Sequence, residues 1–508
     1  MSSQLPLWDE SVRKGRERIP SLSKSRFAAG LQCHKRLYLE CYRRDLMDPL
    51  EPGRKALMDA GTRVGVVARE RWPGLHIEED HFHHEQAVER TARALRDADV
   101  PAIHEAAFLY DDIRVRVDIL ARGEGGAWDL IEVKSSASVK EDYLPDVAIQ
   151  LHVVEGSGVP VRRAGLLHVN NRYVYPGGPY DLERLFVWRD QTDVARQMAP
   201  WVADALAAMR APLRAGSPPG IDTGPHCDRP YRCPFYTHCH ANGPEHPIDD
   251  LPRAGARLLD ELRALRIEDI RDIPDDFDGL SDLQHRVRAC ARTGAVFADP
   301  ELTRQLARLA FPVHFLDFET CNPALPIYPG TRPFQQIPFQ WSDHALQKSG
   351  AVEHLEFLQG GRADPRLPLA EALAEALEHA GAIVVYSGFE ERIIRSLVEE
   401  FPKLQPRLLP LVEDRMVDLL ELIRRHYYHP AFRGSFSIKD VVPALVPGLG
   451  YHDLTIREGG QAGAAYLEMV DPATLPGRRA EIRDALRAYC RRDTEAMVML
   501  FRALREGP

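Results

Sequence analysis

Residues 114–140, RVRVDILARGEGGAWDLIEVKSSASVK, decide the fold of the first half of the chain. RVRVDIL alternates bulky apolar and polar residues, the pattern of a half-buried strand. Gly123, Gly125 and Gly126 mark a turn, and DLIEVK is a second, mostly buried strand, so the two are expected to form a β-hairpin. Asp118 falls on the first strand. Glu132 and Lys134 are two apart on the second and point to one face. Two carboxylates beside an ammonium suit a hydrolytic metal site. The carboxylates hold a hard divalent cation, Mg²⁺ or Mn²⁺, with its waters. The cation lowers the pKa of a bound water, and the lysine positions that water or meets the charge of the transition state. Taken alone, the triplet also describes an exposed, salt-bridged strand.

Composition sets bounds. The chain has 508 residues, enough for two to four domains, with 44% hydrophobic and 28% charged residues. No apolar run approaches the ~20 residues of a membrane span, and MSSQLPLWDESVRKGRERIP lacks the apolar core of a secretory signal. A cytoplasmic protein without membrane contact is expected. Eight cysteines then favour metal ligands or buried thiols over disulfides. The net charge of −10 argues against an overall basic coat for nucleic acid but leaves room for local basic tracks. One runs from Arg13 to Arg44, with ten Lys or Arg against Glu17 and Glu40.

Asp118 followed by Glu132-Val133-Lys134 resembles the D…(D/E)xK signature of the PD-(D/E)xK nucleases. The nearest likeness is to RecB-type exonuclease domains, including the CRISPR-associated and AddB-like ones that carry an iron–sulfur cluster. Within the basic track, SLSKSRFAAGLQCHKRLYLECYRR reads as one helix capped by Ser23 or Ser25, with Phe27, Leu31 and Leu37 on an apolar stripe. It resembles the opening helix of those nucleases, which makes Cys33 a candidate cluster ligand. HCDRPYRCPFYTHC supplies Cys227, Cys233 and Cys239, with five residues between neighbours. Three close cysteines and a remote one can satisfy a four-thiolate cluster. Structural zinc usually shows tighter Cys pairs, although His226, His238 and His240 keep a mixed zinc site open. The resemblance implies a 4Fe–4S cluster, with zinc as the alternative, stapling the first helix to the end of the domain. Cys41, Cys290, Cys321 and Cys490 read as ordinary thiols.

LMDAGTRVGVVARERW reads as an amphipathic helix. Relatives often place a metal-binding His four residues after its Gly; here Gly61 is followed at that offset by Gly65. Glu105, in PAIHEAAFLY, matches an acidic position before the Asp strand. It either completes the metal shell or is a solvated strand residue. HFHH, with His81, His83 and His84, reads as a surface loop. DYLPDVAIQLHVVEGSG reads as the helix after the hairpin. Its Gln150 matches the Gln of a Q-x-x-x-Y motif, while Val154 stands in place of the Tyr.

Residues 244–300 read as a small helical linker module, faintly similar to a helix-hairpin-helix segment, with a plain spacer as the simpler reading. Beyond it, VHFLDFETCNP is an apolar strand presenting Asp317 and Glu319 on one face. Such a pair can bridge two Mg²⁺ ions for in-line attack on a phosphodiester. DFET resembles the first motif of DnaQ-like 3′–5′ exonucleases of the RNase H-like fold. AGAIVVYSGFEERIIRSLVEE, a strand, turn and helix, resembles the second motif, with Glu390 where an Asp is usual. Asp418 resembles a supporting residue on the next helix. In ALRAYCRRDTEAMVMLFRAL, Tyr489 and Asp493 share a helical face and resemble the last motif of the tyrosine-containing DEDD exonucleases. There Asp493 would hold metal and Tyr489 would orient the attacking water. FRGSFSIKDVVPALVPGLGYHDL offers Ser, Lys and Gly residues for a nucleic-acid path.

The expected chain is therefore α/β. A restriction-endonuclease-like (PD-(D/E)xK) domain with a 4Fe–4S cluster spans 20–243. The helical linker occupies 244–300, and an RNase H-like, DnaQ-type DEDDy exonuclease domain spans 305–508. The layout resembles a family of uncharacterised bacterial proteins with that fusion. The expected function is a Mg²⁺- or Mn²⁺-dependent DNA nuclease in repair, processing or defence. Two alternatives stand beside it: a non-catalytic nucleic-acid-binding or assembly factor with decayed sites, and an exonuclease that processes RNA.

Overall fold

The computed structural model describes residues 19–50 and 52–506; the start of the basic track, 13–18, lies outside the described residues. The chain is mixed α/β and forms two compact units. Among the described residues the first holds 19–50, 61–170 and 181–241, and the second holds 52–60, 171–180 and 242–506. No described helix is long and apolar enough to cross a membrane.

The first unit is built on a seven-stranded sheet. Ile113–Arg122 and Trp128–Lys134 pair antiparallel, with Ile119 opposite Ile131 and Arg122 opposite Trp128. The alternation read in the sequence is real: Ile113, Val115, Val117 and Ile119 are buried, while the intervening residues are half-exposed. The ladder stops at Ile119. Before that point Leu22–Ser23 lies parallel to Ile113–Arg114. Helix Leu144–Gly156 then crosses to strand Val161–Val169, parallel to Trp128–Lys134. Val147, Ile149 and Leu151 of that helix share a core with Val115, Val117, Leu130 and Leu166.

Two sequence expectations fail here. The basic stretch is two helices, Lys24–Gln32 and His34–Tyr42, separated at Cys33, whose backbone is extended (φ −166°, ψ 125°). Ser23 caps the first, accepting from Arg26 N. The break re-phases the apolar stripe, so Phe27 and Leu37 are buried while Leu31 is exposed. The HFHH segment is not all surface loop either. His84 begins helix His84–Arg96 and is buried, its Nε2 3.1 Å from the Phe108 carbonyl oxygen.

In the second unit a five-stranded sheet runs Val352–Leu358, Ile337–Leu346, Val313–Cys321, Ala382–Val385, Met416–Asp418. In chain order that is three, two, one, four, five. The second strand is antiparallel to its two neighbours, and the fourth runs parallel to the first and the fifth. Helices Pro476–Glu506 and Gly459–Val470 pack on the first strand, with Phe501 edge-on to Phe315. Segment 244–300 is helical, but it is no separate spacer: Ile248, Leu262, Ile270 and Val287 belong to one core with Val313, Phe315, Leu419 and Phe501. Short helices of this size cannot bury their apolar stripes alone.

Gly434 ties that segment to the loop before helix Ile438–Leu445. Its φ is +76°, and a Cβ there would stand 1.6 Å from the Asp250 carbonyl oxygen. Gly434→Ala combines a left-handed residue, costing roughly 1–2 kcal/mol, with a backbone clash. It is expected to lower the thermal midpoint of the second unit by several degrees, read by calorimetry; an unchanged midpoint would refute the close approach.

Candidate functional site

In the first unit the hairpin opens where the acids sit. Asp118 Oδ2 accepts from Val133 N at 2.7 Å, replacing the ladder bond lost beyond Ile119. Glu132, 2% exposed, is gripped from three sides. Lys24 Nζ reaches both of its oxygens at 2.8 and 2.9 Å, Lys134 Nζ donates to Oε1 at 2.9 Å, and Gln150 Nε2 donates to Oε2 at 2.8 Å. Lys134 also donates to Asp146. The sheet register sets Glu105 across from Asp118, at a rung the ladder skips, and Glu105 holds a left-handed backbone (φ 57°). Such strain is stored where the surroundings over-determine a residue. Glu105 is half-buried and ion-paired: Arg69 and Arg116 bridge its two oxygens.

The electrostatics separate the two carboxyls. Burial, and then the charge of Glu132, pushes Asp118 up to about 7. Burial works on Glu132 in the same sense, but the Lys24 and Lys134 ammoniums outweigh it and hold Glu132 near 2. Lys134 is likewise disfavoured by burial, yet Glu132 and Asp146 keep it firmly charged. The sequence reading missed Lys24. It lies far from the ExK strand in sequence and is brought in only because Leu22–Ser23 pairs beside that hairpin. Lys24 occupies the charge position that a cation on Glu132 would take. Lys24→Met is expected to tighten Mn²⁺ binding by the isolated site severalfold, measured by calorimetric titration. Weaker binding would show that Lys24 organises the site instead of competing for it.

The predicted cysteines converge within the same unit. Cys33, Cys227, Cys233 and Cys239 line one cavity with His226, Lys35, Arg36 and Phe235. Cys33 is placed by the helix break. Gln32 Nε2 donates to the carbonyls of His226 and Tyr231, and Tyr38 and Leu39 pack on Cys233 and Phe235. Burial raises the thiols of Cys227, Cys239 and Cys233, the last to about 11, and their mutual charges add to the rise. Two buried and two half-buried thiols thus converge on one cavity, although no three of their sulfurs lie within 4.8 Å of one another. His226 also lines it; His240 turns its Nδ1 to the Tyr236 carbonyl and stacks on that ring.

In the second unit three separate elements bring acids to one cavity of about 600 Å³. Asp317 and Glu319 come from strand Val313–Cys321, Glu390 from the first turn of helix Phe389–Glu400, and Asp493 with Tyr489 from helix Pro476–Glu506. Lys439 and Ser437, at the start of helix Ile438–Leu445, also line it. Tyr451 donates to Asp493 Oδ1 at 2.5 Å, and Lys439 Nζ to the Tyr489 hydroxyl at 3.3 Å. Burial lifts every acid here. Asp317 and Glu319 rise well above the carboxylate range, each pushed further by Asp493. Glu390 stands at about 7, and Asp493 at about 6 because the Tyr451 hydrogen bond and Lys439 oppose its burial. Asp418 stands outside this lining; it ends its strand and caps the next helix, accepting from Glu421 N.

Residues 314–437 match the family model for a domain of unknown function (DUF2779). The match takes in Asp317, Glu319 and Glu390 and stops before Lys439, Tyr489 and Asp493. No curated protein matches the chain. The cavity therefore draws on residues both within and beyond the DUF2779 segment. Beyond the expected residues, Tyr451 and Cys490 were missed. Tyr451 lies in a Gly-rich loop with no periodicity to place it. Cys490, read as an ordinary thiol, sits with Sγ 3.7 Å from Asp317 Oδ2.

Proposed function

We propose that the chain is a two-site, divalent-cation-dependent nuclease acting on DNA. The observation that carries this reading is the meeting of Asp317, Glu319, Glu390 and Asp493, from three elements remote in sequence, around one cavity. Buried carboxylates whose charges repel one another gain most from a divalent cation. Strand order three-two-one-four-five supports an RNase H-like exonuclease domain, because it sets the acid-bearing first strand at the sheet centre under the helix that carries Asp493. The antiparallel strands, crossover helix and Asp118–Glu132–Lys134 cluster of the first unit support the PD-(D/E)xK, RecB-like reading.

In the second unit Asp317, Glu319 and Asp493 would hold the cation and Glu390 would complete the acidic wall. When bound, the ion supplies Lewis acidity and a lower pKa for water. The Tyr489 hydroxyl, fixed by Lys439, orients the attacking water. Lys439 presents positive charge to the phosphodiester, and the cavity has the volume for a terminal nucleotide. In-line attack leaves a 5′-phosphate, releasing mononucleotides from 3′ ends. In the first unit Asp118 and Glu132 would hold the cation, and Lys134 would position the water. The four cysteines would hold a 4Fe–4S cluster as a staple between helix His34–Tyr42 and the segment 225–240.

The reading is tested in two ways. Protein purified without oxygen should show broad visible absorption with iron and sulfide present; zinc alone would replace the cluster by the zinc alternative. A single-stranded DNA blocked at its 3′ end should resist the second unit's activity, assayed with the first site disabled by Asp118→Asn. Equal degradation of blocked and free ends would overturn the 3′–5′ assignment. RNA of the same sequence, run in parallel, decides the polymer.

A further inference from the structure

Beside Asp317 and Glu319, behind the residues that line the cavity, lies a thiol that the nuclease reading leaves unused. Cys490 follows Tyr489 on helix Pro476–Glu506 and is fully buried. Its Sγ lies 3.7 Å from Asp317 Oδ2 and 3.9 Å from the Asp317 carbonyl oxygen. One ligand atom from each of Asp317, Glu319 and Cys490 falls within 4.8 Å of the others, the one such trio of His, Cys, Asp or Glu found among the described residues. Oxygen and sulfur ligands about 2.1 and 2.3 Å from one tetrahedral ion stand about 3.6 Å apart. The Cys490–Asp317 edge already stands at 3.7 Å, and the other two are no longer than 4.8 Å. A second feature points to the same ligand. Glu390 is 4% exposed, lines the same cavity, and its Oε2 has no hydrogen-bond partner. A buried acceptor left unpaired is costly unless a cation or donor enters.

We infer that Asp317, Glu319 and Cys490 form a mixed carboxylate–thiolate site that takes a thiophilic divalent cation of the zinc, cadmium or ferrous-iron class. This rests on the proposed reading of the acidic cavity as a cation site and extends it to the choice of ion. All-oxygen sites favour Mg²⁺ and Mn²⁺, whereas one thiolate shifts preference toward softer ions. On binding, the S–H bond of Cys490 breaks, its proton leaves to solvent, and sulfur donates a lone pair to the ion; nothing is oxidised or reduced. Low zinc would thus take up Asp317 and Glu319, the carboxylates that Mg²⁺ or Mn²⁺ must use, and arrest the second unit.

The test is a Cd²⁺ titration of the full chain, followed by the ultraviolet thiolate-to-cadmium charge-transfer band. Wild type is compared with Cys490→Ser, and with Cys490→Ala in case the serine hydroxyl disturbs the buried position. All keep Cys33, Cys227, Cys233 and Cys239, so the difference reports Cys490 alone. Wild type should show one more thiolate–cadmium contribution than either variant. Zn²⁺ affinity at this pocket should fall in the variants at least by the roughly 10- to 100-fold that loss of an outer-sphere partner costs. In an Asp118→Asn background, which silences the first unit's site, Mn²⁺ binding read by electron paramagnetic resonance should survive in Cys490→Ser and be lost in Asp317→Asn. Identical cadmium bands in wild type and both variants would overturn the thiol ligand while leaving the acidic cavity standing. Mn²⁺ binding that ignores Asp317→Asn would overturn the cavity reading itself.

Discussion

Asp317→Asn is expected to abolish 3′-end removal by the second unit, with a loss on the order of a thousandfold, the scale of deleting one preorganised electrostatic contact. The substitution keeps side-chain size, so the strand, the central sheet position and the contact with Cys490 remain. What goes is one of the charges that hold the cation. The same change should raise the stability of the metal-free protein, because burial, and then the charges of Asp493 and Glu319, push Asp317 well up. Activity falling while stability rises marks a residue kept for chemistry. A fall in both would mark a structural one.

The pH dependence follows from the same repulsion, and its sign can be worked out. In the folded, metal-free protein Asp493 stands at about 6 and Glu390 at about 7. In the unfolded chain such groups titrate near 4. Between those values the folded state binds more protons than the unfolded one, so stability falls as pH rises from about 4 through 7. Saturating Mn²⁺ removes the penalty by neutralising the charged carboxylates. The melting midpoint of metal-free protein should drop across that window, and Glu390→Gln should flatten the drop. A Glu390→Gln profile parallel to wild type would contradict the assignment.

Asp118→Asn is expected to remove the first unit's cleavage by a comparable factor. Glu132 already accepts from Lys24, Lys134 and Gln150, so of the two carboxyls that would hold the cation Asp118 has the more capacity to spare. Its rise to about 7 means that cation binding must displace a proton below neutrality, so Mn²⁺ affinity at this site should increase with pH up to about 7 and then level off. The asparagine can still accept from Val133 N, which keeps the hairpin opening in place. Equal cleavage by Asp118→Asn and wild type, with the second site disabled, would dismiss this cluster as a salt-bridged strand.

Much of the two sites was legible in sequence because strand and helix periodicities are local. Period two puts Glu132 and Lys134, and Asp317 and Glu319, on shared faces; a spacing of four puts Tyr489 over Asp493. What could not be read came from tertiary pairing. Lys24 enters the first site through a two-residue strand, too short to leave a pattern. The helix break at Cys33 has no Gly or Pro beside it, yet it is what turns Cys33 toward its three partners. Glu105 looked equally like a ligand and a solvated residue, and the structure gives it two arginines. Segment 244–300 read as a spacer because its charge masks its apolar stripe, which is spent on the core of the second unit.

The most direct measurement follows end-labelled single- and double-stranded DNA with wild type, Asp118→Asn, Asp317→Asn and the double variant, in Mn²⁺ and in excess chelator. Wild type should degrade DNA only with Mn²⁺. Each single variant should retain one product pattern, with 3′-end shortening surviving in Asp118→Asn and disappearing in Asp317→Asn, and the double variant should be inert. Degradation by the double variant at the wild-type rate, or no Mn²⁺-dependent cleavage by wild type, would contradict the two-site account.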